Sequence, residues 1–171
     1  MIYFIQSIFQ LLINCPVLFL SIFSTEGIAD GQFTVGVIIA CLGLILETVA
    51  DWHLFVFKRD PNNKDKFLTA GVWRYSRHPN YFGEAVFWWG LFIVACSFEK
   101  GWITFYSPLI ITLLLRYVSG VPILEKNFET RPGFKEYQQQ TNVFFPWFPK
   151  EVKPEAAADS HKEEPLTKEM V

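Results

Sequence analysis

Long apolar stretches alternate with short polar ones along this chain. The apolar stretches cover residues 2–23, 33–57, 81–98 and 102–124. A bilayer core of ~30 Å takes about 20 helical residues to cross, so each is long enough to span. Their apolar residues are clustered rather than periodic, as in helices surrounded by lipid rather than lying on a soluble core. The pattern predicts an all-α, polytopic membrane helix bundle with about four transmembrane helices. Residues 125–140 then mix charge with Phe and Tyr and predict a C-terminal interfacial helix, broken at Arg131-Pro132-Gly133. Val143-Phe-Phe-Pro-Trp-Phe-Pro149 follows. Its rings suit a membrane interface and its prolines stop a helix. Residues 1–149 thus read as one membrane domain, and 150–171 as a disordered, charged tail too poor in large apolar groups to offset its ordering entropy. The first stretch does not read as a signal peptide. It has no basic n-region, and Glu26 and Asp30 follow it rather than a small-residue cleavage site.

Composition agrees, with 51% hydrophobic and 18% aromatic residues and a mean hydropathy of +0.22, rich for a soluble domain. The net charge of -2 decides little, but its distribution sets an orientation. Lys58, Arg59, Lys64, Lys66, Arg74 and Arg77 crowd the loop between the second and third stretches, whereas segments 24–32 and 99–101 hold only Lys100. The positive-inside rule puts the basic loop in the cytoplasm, and four crossings put both termini there too. Cys15, Cys41 and Cys96 lie within apolar stretches without metal-ligand spacing, so they read as packing residues and no metal site is expected.

Charge inside a spanning helix is costly and usually faces a cavity or a partner. Glu47 lies well inside the second stretch, with Asp51 one turn later and Lys58 two turns beyond that, along one face. Arg116 lies in the second half of the fourth stretch. The bland alternative is a structural ion pair such as Asp51 with Arg116. A second concentration is Gly71-Val-Trp-Arg-Tyr-Ser-Arg-His-Pro-Asn-Tyr-Phe-Gly-Glu84, where the basic loop enters the third stretch. Its arginines and His78 can grip phosphate. Pro79 can start a helix, Asn80 offers an amide to a ligand, and Gly83 lets a backbone or a ligand approach closely. Glu84 lies one turn after Asn80. Topology alone explains basic residues here but not so dense a set with an embedded acid, and His78 by itself reads more often as a structural hydrogen-bonder than as a catalyst. The Rossmann, P-loop, zincin and nucleophile-elbow signatures are absent from the sequence. Any bound nucleotide is therefore expected between membrane helices, and no nucleic-acid partner is expected.

The 71–84 segment resembles the signature of the steroid 5-alpha-reductase C-terminal-domain family, in the branch labelled a domain of unknown function. Glu47-Thr-Val-Ala-Asp51, Pro61-Asn-Asn-Lys64, Gly120-Val-Pro-Ile-Leu-Glu125 and the stretch from Glu136-Tyr137 to Phe145-Pro146-Trp147 resemble the same branch in order. The Arg-His-Pro-x-Tyr core is shared with sterol reductases and isoprenylcysteine carboxyl methyltransferases. The resemblance implies NADPH as cofactor and a hydrophobic lipid or steroid substrate whose activated C=C bond is reduced. By matching positions it assigns Asp51 and Lys58 to the adenosine and phosphate end, Asn80 and Glu84 to the nicotinamide end, and Arg116 to the cofactor; Arg77 and His78 belong to the same candidate set. His53 stands where the branch commonly has a glutamine. Glu47 and Leu124 stand where steroid reductases have an asparagine and a cofactor-contacting tyrosine. Their catalytic acid and tyrosine come from N-terminal helices with no counterpart here, so the catalytic residue stays unassigned and a helper chain supplying those helices is one expectation. S-adenosylmethionine-dependent methyl transfer and a truncated, non-catalytic membrane protein stay open as alternatives. The expected location is the endoplasmic reticulum in a eukaryote or the plasma membrane in a bacterium.

Overall fold

A computed structural model describes residues 2–23 and 30–151. Nearly all of the tail expected to be disordered lies outside them.

The first apolar stretch is a bent pair and not one straight span. Helices α1 (Ile2–Ile13) and α2 (Cys15–Phe23) meet at 50° around Asn14. Pro16 has no N–H to donate to the preceding turn, which interrupts the ladder there. At the bend the Gln10 carbonyl accepts both the Asn14 N–H at 3.0 Å and the Asn14 side-chain amide at 2.8 Å.

Helix α3 (Gly31–Arg59) starts at Asp30, whose carboxylate accepts the Phe33 N–H at 2.7 Å. It ends on Lys58 and Arg59, where cations complement the helix dipole. Its 29 residues rise about 44 Å at 1.5 Å each, so the basic end projects past a ~30 Å core. Helix α4 (Pro79–Ala95) runs antiparallel along it. Small residues permit the contact. Gly36, Ala40, Gly43 and Ala50 are the buried positions of α3. A Cβ on Gly36 would stand 2.6 Å from the Val94 nitrogen, and one on Gly83 would stand 2.6 Å from the Glu47 nitrogen. Gly90 meets Ala40 in the same way.

The fourth stretch is a composite run, Gly101–Phe128. It comprises a 3-10 turn at Gly101–Phe105, α5 (Tyr106–Leu113), a π-helical turn at Leu114–Val118 and α6 (Val121–Phe128). Helix α7 (Phe134–Gln140) follows a break at Gly133, which adopts φ +81°, as the Arg-Pro-Gly triplet predicts. Among the described residues, α3 and the Gly101–Phe128 run are long and apolar enough to cross a membrane, and the bent α1–α2 pair makes a third candidate. The 17 residues of α4 rise only about 25 Å, and the helix lies against α3. The architecture is an all-α membrane helix bundle.

Candidate functional site

The connection from α3 to α4 folds back over the end of the bundle. The Asp60 carboxylate accepts the Asn62 N–H at 2.9 Å and caps a 3-10 turn at Pro61–Asn63. The Asn63 amide donates to the Phe57 carbonyl at 3.1 Å, holding the turn against the last residues of α3. Further on, the Trp73 indole donates to the Ala50 carbonyl at 3.0 Å. The Tyr137 hydroxyl donates to the Trp73 carbonyl at 2.9 Å. Burial pushes the Tyr137 hydroxyl above the ordinary phenol range. These ties leave a cavity of about 220 Å³ among the end of α3, the 63–68 segment, the start of α4, α6 and α7.

One wall is an ion cluster centred on Glu125. Arg77 donates from Nε to Glu125 Oε1 at 2.8 Å and from Nη2 to Oε2 at 3.1 Å. His78 Nε2 stands 3.2 Å from the same Oε1, and Gln138 reaches Oε2 at 3.4 Å. Arg77 Nη1 also donates to the carbonyls of Thr141 and Gln138, at 2.6 and 3.2 Å. The Arg77 and Glu125 side chains are only 10% and 16% exposed. His78, 4% exposed, stacks on Tyr81 with ring centroids 5.6 Å apart. The charge of Arg77, expected to meet a phosphate, is thus already neutralised inside the protein. Its geometry makes it a lock between the start of α4 and α6–α7.

The lining from the end of α3 and the 63–68 segment is mainly cationic. Lys58, Lys64 and Lys66 line the cavity, and among the described residues none of them is ion-paired. Asp65 lies 3.8 Å from Arg131, whose guanidinium also sits 4.9 Å from the Phe67 ring centre. Phe67 continues into an aromatic cluster with Phe128, Phe134 and Tyr137. Asn80 stands at the cavity's other margin. Its Nδ2 donates to Asp51 at 2.9 Å, while its Oδ1 is buried without a donor. Asp51 belongs to an open groove of about 500 Å³ on the outer face of α3, with Leu44, Glu47, Thr48, Trp52 and Phe55. The Asn80–Asp51 bond is therefore the boundary between cavity and groove.

The seven candidate residues divide accordingly. Lys58, Arg77, His78 and Asn80 share the cavity, and Asp51 reaches it through Asn80. Glu84, half-buried, has Glu47 and Asp51 as its charged neighbours. Arg116 sits on the π-helical turn with its guanidinium 4.7 Å from the Tyr117 ring centre and does not line the cavity. The ion pair of Asp51 with Arg116 does not form; Asp51 is held by Asn80. The sequence-based candidate set omits Glu125, Lys64, Lys66, Asn63 and Tyr137. Sequence marks Glu125 only as the acid ending the apolar 102–124 stretch and as the last residue of the family-like segment 120–125, since its partners lie 47 and 48 residues away.

No solved structure matches the chain. A stretch of 56 residues is 41% identical to "Probable O-methyltransferase ustE" of Ustilaginoidea virens; it spans 33% of this chain and 20% of that protein. The family model described as "Protein of unknown function (DUF1295)" matches residues 1–141. With that much of its length matched, the chain belongs to DUF1295, the steroid 5-alpha-reductase-like family of membrane proteins.

Proposed function

We propose that this protein is an NADPH-dependent membrane reductase acting on an activated C=C bond of a steroid or other lipid. The observation that carries the reading is the set of three lysines without ion-pair partners among the described residues, Lys58, Lys64 and Lys66, lining a cavity that also holds Arg77, Arg131 and several aromatic rings, with Asp65 and Glu125 as its acids. Lysines with no ion-pair partner at one cavity leave positive charge that a polyanionic phosphate can meet. The donor set fits NADPH at the other margin too, because the buried Oδ1 of Asn80 lacks a donor and a carboxamide N–H would supply one. The cavity's 220 Å³ is below the ~300–1,000 Å³ of complete ligand sites, so a dinucleotide would also occupy the groove beyond Asn80 and Asp51.

Bound NADPH would supply the hydride. The protein's own residues do the rest of the work. Lys58, Lys64 and Lys66 hold phosphate, Asn80 orients the carboxamide, and Asp51 fixes Asn80. The Arg77–Glu125–His78 cluster keeps that wall in place and excludes water from it. Arg116 has no part in this arrangement. The proton donor for the substrate would come from outside the cavity, on a helper chain or a further segment. The lysine wall is cytoplasmic by the positive-inside rule, where the cofactor is available, in the endoplasmic reticulum or the plasma membrane.

A second reading, methyl transfer from S-adenosylmethionine, draws on the similarity to the ustE protein. The lysine wall opposes it, since that cofactor carries a sulfonium cation and no phosphate. Lys58→Ala with Lys64→Ala decides between them. Loss of two charge-assisted contacts should weaken NADPH binding by about 2 kcal/mol or more. Unchanged NADPH affinity in that variant would remove the lysines, and with them the reading.

A further inference from the structure

The aromatic segment after α7 has no part in the cavity, yet it is fixed to the cavity wall. It runs as a strap beside residues 74–77. The Arg77 N–H donates to the Asn142 carbonyl at 2.8 Å, the Ser76 hydroxyl to the Phe144 carbonyl at 2.8 Å, and the Trp147 N–H to the Tyr75 carbonyl at 3.0 Å. The Lys150 N–H closes the far end on the Gln140 carbonyl at 2.8 Å. Phe144, 1% exposed, anchors the strap in the core against Phe82. Beyond that anchor the strap turns its rings outward. Phe145, Trp147 and Phe148 are 66%, 67% and 73% exposed, and Tyr75 packs edge-on against Phe148. Held this firmly, three large rings form a fixed plate.

We propose that this plate seats in the headgroup layer of the host bilayer and sets the depth of the cavity wall to which it is bonded. Three observations select a lipid surface as occupant. The strap is bonded to the residues just before Pro79, where α4 begins, so the plate lies at the level where helices leave the membrane. Tryptophan and its aromatic neighbours are amphipathic groups that partition to that layer. Exposed Arg74 and Lys150 flank the plate and complement the phosphates of lipid headgroups.

The test uses the full chain in proteoliposomes. The emission of Trp147 is obtained as the difference between wild type and Trp147→Phe. Quenching is compared between lipids brominated near the headgroup, lipids brominated near the chain end, and aqueous iodide. Strongest quenching by the shallow bromines, with weak iodide quenching, is the expected result. Strong iodide quenching with no response to either brominated lipid would place the plate in water and overturn the proposal. As an independent check, Phe148→Cys is spin-labelled in a chain whose three native cysteines are alanine. The label should show oxygen and nickel-chelate accessibilities of similar size, as at the headgroup level; a chelate accessibility far above that for oxygen, as in bulk water, would also sink the idea.

Discussion

Arg77 donates to both oxygens of Glu125 and to two backbone carbonyls, and His78 shares the same carboxylate. Removing the acid leaves a mostly buried guanidinium without its partner, which typically costs 3–5 kcal/mol when fully buried. Glu125→Ala is accordingly expected to destabilise the fold by about 3 kcal/mol, lowering the unfolding midpoint in detergent. Arg77→Lys should fare little better, because a single ammonium cannot reproduce the forked contact. Arg116→Ala, by contrast, should leave NADPH affinity unchanged in a binding titration, since its side chain lies over Tyr117 and outside the cavity. At this scale the sequence was half legible. It marked seven candidate residues, of which Lys58, Arg77, His78 and Asn80 line one cavity while Asp51, Glu84 and Arg116 do not. It could not show that Arg77 is satisfied internally, because its partner is 48 residues away.

Between elements, the contact of α3 with α4 rests on residues too small to keep the backbones apart. Gly83 reads from sequence as a place of close approach by a backbone or a ligand, and it is the backbone of α3 at Glu47 that comes close. Gly83→Val should push the two helices apart and cost on the order of 2–3 kcal/mol, as overpacking does. Reduced yield of folded protein and a lower unfolding midpoint would report it. Gly133→Ala makes a useful contrast. Nothing lies within 4 Å of its Cβ, but φ is +81°, so only backbone strain of about 1 kcal/mol is expected. The break between α6 and α7 was legible in Arg131-Pro132-Gly133. The bend at Asn14 was not read, because hydropathy registers the apolar side chains around Pro16 and not the hydrogen bond it lacks.

For the whole molecule, apolar run length gave the all-helical membrane class, and loop charge gave an orientation. Run length alone shows neither the bend at Asn14 between α1 and α2 nor that α4, at 17 residues, stands at the short end of the spanning range. The orientation is open to direct measurement. In a cysteine-free chain, single cysteines at 64 and 150 should react with an impermeant maleimide from the same side, and one at 100 from the other. Labelling of 64 and 100 from one side would contradict the topology.

The claim on which the functional account depends is that the lysine wall holds a phosphate-bearing cofactor. The most direct test is a thermal-shift titration of the detergent-purified chain with NADPH, NADH and S-adenosylmethionine in parallel, since a ligand of the folded state raises its midpoint with concentration. A concentration-dependent rise with NADPH, lost in Lys58→Ala with Lys64→Ala, is the expected result. A rise with S-adenosylmethionine and none with NADPH, on a folded sample, would contradict the account.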